Sequence, residues 1–284
     1  MSKVYLQSFC LVSESQENRF LTELKHTCYS SVYPYNLFPQ KELRRVEFSP
    51  ITVFYGGNGS GKTTLLNLIA EKCHVFRRSP FNGSAFFKQY AQSCSVEGTL
   101  PRSSQILTSD DVFDHLLDLR YLNNGIDNRR EQLFEEFTSR KYAHTQLNSL
   151  ADYDDFKDSC DAKFRSQSQF VRARLMANPE MHSNGESSMH YFMEQIQENA
   201  LYLLDEPENS LSIQLQQQLA DFLTESARFF NCQFVIATHS PVLLAMPDVC
   251  IYDLDSVPVT ARRWTELENV RRFFDFFMEH KDEF

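Results

Sequence analysis

Apolar positions along the chain follow two periods. Ile51-Thr52-Val53-Phe54-Tyr55 is a β-branched and aromatic run that ends in Gly56-Gly57, the pattern of a buried strand meeting a loop. Just beyond it, Leu65, Leu66 and Ile69 fall at helical spacing and predict a helix from Lys62 to about Phe76. Strands are also expected over Val4–Val12, Gln105–Thr108, Ala200–Leu204, Phe234–Ala237 and Val249–Tyr252, with helices over Leu211–Phe230 and Trp264–His280. Residues 77–104 read as loop. The stretch from Val12 to Leu43 mixes helical pattern with a turn-rich segment at Tyr33-Pro34-Tyr35-Asn36. Strands alternating with helices predict a mostly parallel central sheet covered on both faces.

The alternation is interrupted once. Ser109-Asp110-Asp111 places carboxylates in the first turn of a predicted helix, and from there to about Leu175 the chain is polar, charged and free of proline. No a/d heptad is sustained, so a long coiled coil is not expected. The expected organisation is an α/β core formed by 1–108 and 176–284, with a helical subdomain inserted at 109–175.

Composition narrows the class. A length of 284 residues allows one large domain or two small ones, and 42% hydrophobic with 23% charged residues excludes a disordered chain. The net charge of −10 (28 Lys and Arg against 38 Asp and Glu) argues against a dedicated nucleic-acid coat. Cys10, Cys28, Cys73, Cys94, Cys160, Cys232 and Cys250 form no CxxC pair and no zinc-type spacing, which suits reduced thiols in a cytoplasmic protein. No signal core and no run of about 18 apolar residues is present, so no membrane segment is expected.

Four of the eight glycines cluster in Gly56-Gly57-Asn58-Gly59-Ser60-Gly61-Lys62-Thr63, which fits GxxxxGK[ST] between a strand and a helix. Glycines let successive N–H groups turn inward onto phosphate oxygens, and the helix N-terminus adds partial positive charge. Gly56, Asn58, Gly59, Ser60, Gly61, Lys62, Thr63 and Thr64 are the candidate ATP-binding residues. Lys62 is expected to reach the β- and γ-phosphates, and the Thr63 hydroxyl to ligate Mg²⁺. A second block, Leu201-Tyr202-Leu203-Leu204-Asp205-Glu206-Pro207-Glu208, is an apolar strand ending in acids. The carboxyl edge of a parallel sheet faces the ligand crevice, so Asp205 is expected to hold Mg²⁺ and Glu206 to orient or deprotonate the attacking water. Glu208 is expected at the surface or at a subunit contact.

These blocks carry a resemblance. The chain resembles an ABC-type P-loop ATPase of the branch that includes the SMC and recombination-repair ATPases, and within it the small stand-alone bacterial "AAA family" ATPases. Besides the two blocks above, Ser183-Asn184-Gly185-Glu186-Ser187 resembles the ABC signature, Asn209-Ser210-Leu211-Ser212 stands where the D-loop belongs, and Ile236-Ala237-Thr238-His239-Ser240-Pro241 resembles the switch-histidine strand end. The resemblance covers 44–81, 105–112 and 175–257. It implies a homodimer closed by ATP, the nucleotide lying between one phosphate loop and Ser183, Gly185 and Glu186 of the other copy, with His239 at the γ-phosphate. Ser183 reads equally as a helix N-cap. Neither a Q-loop residue nor an adenine-stacking aromatic is assigned. Gln105 and Thr108–Asp111 are candidates for the first, and Tyr33, Tyr35 and Phe38 for the second.

An ATPase engine does not name its load. The reading preferred from the resemblance is a subunit whose ATP-dependent dimerisation gates a separate nuclease or toxin effector in bacterial anti-phage defence, comparable to Septu-like or retron-associated ATPases. A DNA-binding repair-type clamp is the alternative, with Arg129-Arg130, Arg140-Lys141, Arg172 and Arg174 as its basic residues, although neighbouring acids balance them. A transporter's ATPase subunit ranks last.

Overall fold

The structure, a computed structural model, describes residues 3–24, 29, 31–143, 153–179 and 183–283. Cys28 lies outside the described residues. The chain divides into two compact units, Met1–Val112 with Ser183–Phe284, and Phe113–His182.

The first unit is built on two sheets. In chain order its elements are β1 (Leu6–Cys10), α1 (Glu14–Glu23), β2 (Arg45–Glu47), β3 (Ile51–Tyr55), α2 (Lys62–Lys72), α3 (Phe87–Ser93), β4 (Ser95–Gly98) and β5 (Gln105–Thr108). The chain returns through α7 (Asn184–Gln195), β6 (Leu201–Asp205), α8 (Ile213–Phe229), β7 (Gln233–Thr238), α9 (Pro241–Leu244), β8 (Cys250–Asp253), β9 (Thr260–Arg262) and α10 (Glu268–Glu279). The central sheet has the order β5-β6-β7-β3-β8-β9. Every pairing is parallel except β8 with β9. Strands β3 and β7 are buried at every position, which is why they read as unbroken apolar runs rather than as alternation. The expected mostly parallel sheet is therefore present, edged by one antiparallel strand that has no apolar run to announce it.

Register sets up the site. Tyr55 pairs with Thr238, Asp205 with Ala237, and Thr108 with Asp205. The carboxyl ends of β3, β5, β6 and β7 thus stop at one level, and the loops that follow open on one edge of the sheet, where α/β sheets place ligands.

The smaller sheet, β2-β1-β4, is antiparallel. Residues 77–104, expected to be loop, contain α3 and β4. The helix is only seven residues long, and β4 (Ser-Val-Glu-Gly) carries a single apolar side chain, too little for a period to show. Buried Gln233 ties this sheet to the central one. Its Oε1 accepts the N–H groups of Tyr5 and Leu6 at 2.8 Å each, and its Nε2 donates to the Leu6 carbonyl at 2.8 Å. Leu6 and Phe9 share one core with Leu65, Leu66, Ile69, Leu203 and Val235.

The second unit holds the rest of α4 (Ser109–Tyr142), α5 (Tyr153–Phe164) and α6 (Gln167–Arg172). Its core is Leu133, Phe137, Ala162, Phe170 and Val171. Among the described residues no helix is long and apolar enough to cross a membrane. The six described cysteines are free thiols.

Candidate functional site

The phosphate loop runs from the end of β3 into α2. Gly61 caps α2 at φ +98°, a conformation in which a side chain is strained, and a Cβ there would also meet Leu37 Cδ2 at 3.4 Å. Lys62 is 5% exposed. Its ammonium donates back to the Gly56 and Gly57 carbonyls at 2.8 and 3.1 Å, bracing the loop from inside. Residues Asn58 to Thr64 line a cavity of about 320 Å³, closed on other sides by Tyr33, Leu37 and Glu206. The buried Ser60 hydroxyl oxygen has no hydrogen-bond partner.

Two groups at this loop have no counterpart in the motif. The Asp255 carboxylate accepts the Gly57 N–H at 2.7 Å. The Tyr33 hydroxyl donates to Thr64 Oγ1 at 2.7 Å, which leaves Tyr33 as the cavity's aromatic wall. Tyr35 is taken up in the core, stacked on Phe20 with ring centroids 4.4 Å apart, and Phe38 is fully buried. Of the three aromatics considered from sequence, only Tyr33 lines the cavity.

Asp205 ends β6, and its Oδ1 accepts the Thr63 hydroxyl at 2.9 Å. Burial pushes its pKa up to about 6. The Thr63 hydrogen bond and Lys62 oppose that shift, while Glu206 and Glu208 add to it. A desolvated carboxylate crowded by two others is a setting that a cation would relieve. Among the described residues no cluster of three or more metal-type side chains is assembled. One hydroxyl and one carboxylate suit an ion that takes its remaining ligands from phosphate and water.

This charge has a measurable consequence. The carboxyl is held above its ordinary value of 3.8, so its ionisation costs stability. The cost is absent below about pH 4, grows as pH rises towards about 6, and is complete above that, at no more than about 3 kcal/mol. Nucleotide-free protein is therefore expected to lose stability through that window, and Asp205→Asn to lose less of it. Urea unfolding of both proteins across the window measures this, and parallel profiles would contradict it.

Glu206 follows at φ +48°, a left-handed backbone at a non-glycine residue. Its N–H donates to the Ala237 carbonyl at 2.9 Å, and its side chain turns into the loop cavity. Asn209 Nδ2 donates to its Oε2 at 3.2 Å. His239 leaves the end of β7 with Nδ1 4.0 Å from Glu206 Oε1 and 3.4 Å from Glu208 Oε1. Glu208 departs from the sequence expectation. It is 6% exposed, because the turn after β6 folds it back under the end of β7. There its Oε1 accepts the Thr238 hydroxyl at 2.6 Å and the His239 N–H at 3.1 Å.

Ser183 caps α7. Its hydroxyl accepts the Glu186 N–H at 3.3 Å, while Glu186 Oε2 accepts the Ser183 N–H at 2.9 Å. This is the capping box that S-x-x-E encodes. Gly185 is pressed against the segment after Glu206. A Cβ there would lie 2.8 Å from Leu215 Cδ1 and 3.1 Å from the Ser210 carbonyl. Gly185→Ala is expected to destabilise the protein by about 1–3 kcal/mol through overpacking and to displace the start of α7. Thermal unfolding reads the first effect. An unchanged melting temperature would mean that the neighbours yield freely.

Arg77, from outside the motifs, adds a positive charge near Asp205. The Arg77 guanidinium bonds Asn67 Oδ1 and lies over the Phe81 ring. Burial lowers its pKa, while Asp111, Asp205 and Glu71 raise it. Asp111 is fully buried. It accepts the N–H and hydroxyl of Ser79 at 3.0 and 2.6 Å, and those of Thr108 at 2.8 Å each. Gln105 points elsewhere and donates to the Gln195 carbonyl at 2.9 Å. Arg77 falls in no sequence block with a spacing of its own, whereas Asp111 ends the Thr108–Asp111 stretch considered for the Q-loop.

Comparison with known proteins adds the following. Residues 170–244 match the family model described as the AAA ATPase domain. No curated protein matches the chain. Among solved structures, the chain is similar to the SMC head domain from Thermotoga maritima at 12% identity and TM-score 0.38, covering 92% of this chain and 99% of that one. It is similar to the Smc head domain of Pyrococcus furiosus bound to the C-terminal domain of ScpA at 14% and 0.37, covering 82% and 95%. It is also similar to cbiO1 of Clostridium perfringens, part of the ABC transporter complex cbiONQ, at 14% and 0.35, covering 85% and 91%. The segment that matches the AAA ATPase domain model holds α7, the Asp205–Glu206 strand end and His239, and the phosphate loop and parallel sheet described above lie outside or only partly within it.

Proposed function

We propose that two copies of this chain close on ATP and Mg²⁺, and that hydrolysis reopens them. Strand register supports this reading most directly. Lys62, Thr63, Asp205, Glu206 and His239 come from three separated stretches of sequence and converge on one sheet edge. In this reading residues Asn58 to Thr64 cradle the phosphates. Thr63 and Asp205 hold the metal ion, which offsets charge on the β- and γ-phosphates. Glu206 orients the attacking water and His239 contacts the γ-phosphate. Ser183, Gly185 and Glu186 present the start of α7 to the nucleotide of the other copy, where the partial positive charge of a helix N-terminus suits an anion. Residues 109–175 serve in this reading as the inserted helical subdomain.

The edge that carries His239 also carries exposed apolar surface. A cavity of about 590 Å³ lies between His239 and Phe273, Phe276 and Phe277 of α10, and these rings are each more than half exposed. Apolar surface of this kind supports burial against a partner. The setting we propose, a cytoplasmic ATPase gating a separate nuclease or toxin in anti-phage defence, rests on the resemblance to the small stand-alone ATPases. Of the six basic residues named for the DNA-clamp alternative, four are paired with acids in the second unit. Arg129 pairs with Glu136, Arg130 with Asp127, Arg140 with Asp158, and Arg174 with Asp158 and Asp161.

Light scattering with ATP, with ADP and without nucleotide tests the dimer, alongside phosphate release. A chain that hydrolyses ATP while remaining monomeric in every state would overturn the reading. Loss of phage protection on Lys62→Ala in a strain carrying the chain and its neighbouring genes would support the proposed setting, and unchanged protection would refute it.

A further inference from the structure

Glu208 is a buried acid that the reading above leaves unused. Its side chain is 5% exposed. One oxygen, Oε1, takes the Thr238 hydroxyl at 2.6 Å and the His239 N–H at 3.1 Å, and lies 3.4 Å from His239 Nδ1. The other, Oε2, is buried without a hydrogen-bond partner. Leaving a carboxylate oxygen buried and unsatisfied is costly, and a glutamine here would make the same two backbone-side contacts through its amide oxygen. What a glutamine lacks is the negative charge beside the imidazole, where Oε1 stands 3.4 Å from Nδ1.

We infer that Glu208 is a positioning residue for His239: its carboxylate holds Nδ1 as a proton-bearing nitrogen and so turns Nε2 towards the bound γ-phosphate. The inference rests on the proposed role of His239. The logic is that of a carboxylate behind a working imidazole, where hydrogen bonding to one ring nitrogen sets both the proton position and the aim of the other. The anchoring is asymmetric. Glu208 is clamped to the backbone and hydroxyl at the end of β7, whereas the His239 side chain is 49% exposed. Glu206 Oε1 approaches the same Nδ1 only to 4.0 Å, so Glu208 is the nearer partner. Removing its charge leaves Glu206 as the competing acceptor and draws the imidazole towards the residue expected to work on water. Glu208 carries its own backbone link to the loop, through its carbonyl, which accepts the Leu211 N–H at 3.0 Å.

The test is a double-mutant cycle on full-length protein with Mg-ATP, using Glu208→Gln, His239→Ala and the pair, with wild type and Lys62→Ala as references. Glu208→Gln is expected to keep the melting temperature and KM near wild type and to lower kcat by about 10-fold or more, within the range of general acid–base and positioning effects. On the His239→Ala background it is expected to lower kcat no further, since residues acting as a unit are not additive. A full multiplicative loss on that background, a wild-type kcat for Glu208→Gln, or a wild-type kcat for His239→Ala would each overturn the inference. Glu208→Asp separates structure from position. It retains the charge one methylene short, so it is expected to recover part of the glutamine variant's loss, and recovery of none would count against the assignment. Failure of the underlying reading looks different: wild type would then show no hydrolysis that Lys62→Ala removes.

Discussion

Lys62→Ala is expected to remove measurable ATP hydrolysis and to weaken ATP binding by about 100-fold. The side chain is almost wholly enclosed, and among the described residues its hydrogen bonds run to the carbonyls of Gly56 and Gly57. An ammonium bonded to neutral carbonyls at the wall of this cavity keeps its positive charge for a phosphate placed there. A buried charge-assisted hydrogen bond contributes about 1.5–3 kcal/mol, and about 2.8 kcal/mol is a factor of about 100 in affinity. Two roles are lost together, because the same side chain ties the entry of the loop to its exit. Arginine is not expected to substitute, since a planar fork does not fit a place built for a compact ammonium. Titration with a fluorescent ATP analogue measures the affinity, and phosphate release measures turnover. Binding within threefold of wild type would place the phosphates elsewhere.

Much of the central sheet was legible because burial on both faces leaves a plain mark. Ile51–Tyr55 and Phe234–Ala237 were expected as strands and are the strands that pair at the centre. Helix α2 was legible for the same reason, although it ends at Lys72 rather than near Phe76. Elements that escaped are those whose stability comes from somewhere other than their own pattern. Strands β2 and β9 have three residues each and are exposed at one or both ends. They exist because a neighbouring edge offers hydrogen bonds, which no local period records. Gln233 is the strongest example of a long-range determinant. Its amide bonds residues 5 and 6 from 227 or more positions away, and in sequence it is one polar residue before an apolar run.

The candidate site divides in the same way. Residues within a block were readable because the chemistry imposes the spacing: a loop of glycines before a lysine, an acid pair at a strand end, a serine three residues before a glutamate. Residues that complete the site from elsewhere were not. Asp255 and Arg77 reach the phosphate loop or Asp205 from segments with no shared spacing, and Tyr33 was only one of three aromatics that the sequence offered for the cavity. Glu208 was visible but misplaced. An acid directly after Pro207 reads as solvated turn, and only the pairing of β6 with β7 shows that the turn carries it beneath His239.

Glu206→Gln is the companion to the lysine substitution, with the opposite signature. Turnover is expected to fall by about 100- to 1000-fold, within the range of general-base effects, while ATP affinity stays near wild type. The side chain reaches the cavity wall from a backbone held at φ +48° by the bond from its N–H to the Ala237 carbonyl. Glutamine keeps the shape and can still accept from Asn209, so the fold has little to lose. Only the ability to take a proton or polarise a water is removed. If hydrolysis is the step that reopens a closed pair, blocking it leaves the pair closed, and the variant is expected to accumulate as an ATP-bound dimer when wild type does not. The lysine variant cannot close and the glutamate variant cannot reopen, so scattering mass with ATP should move in opposite directions for the two. Equal turnover for wild type and Glu206→Gln would remove Glu206 from the chemistry. Slow turnover without the dimer would keep Glu206 there and reject the closed pair as the state that ATP maintains.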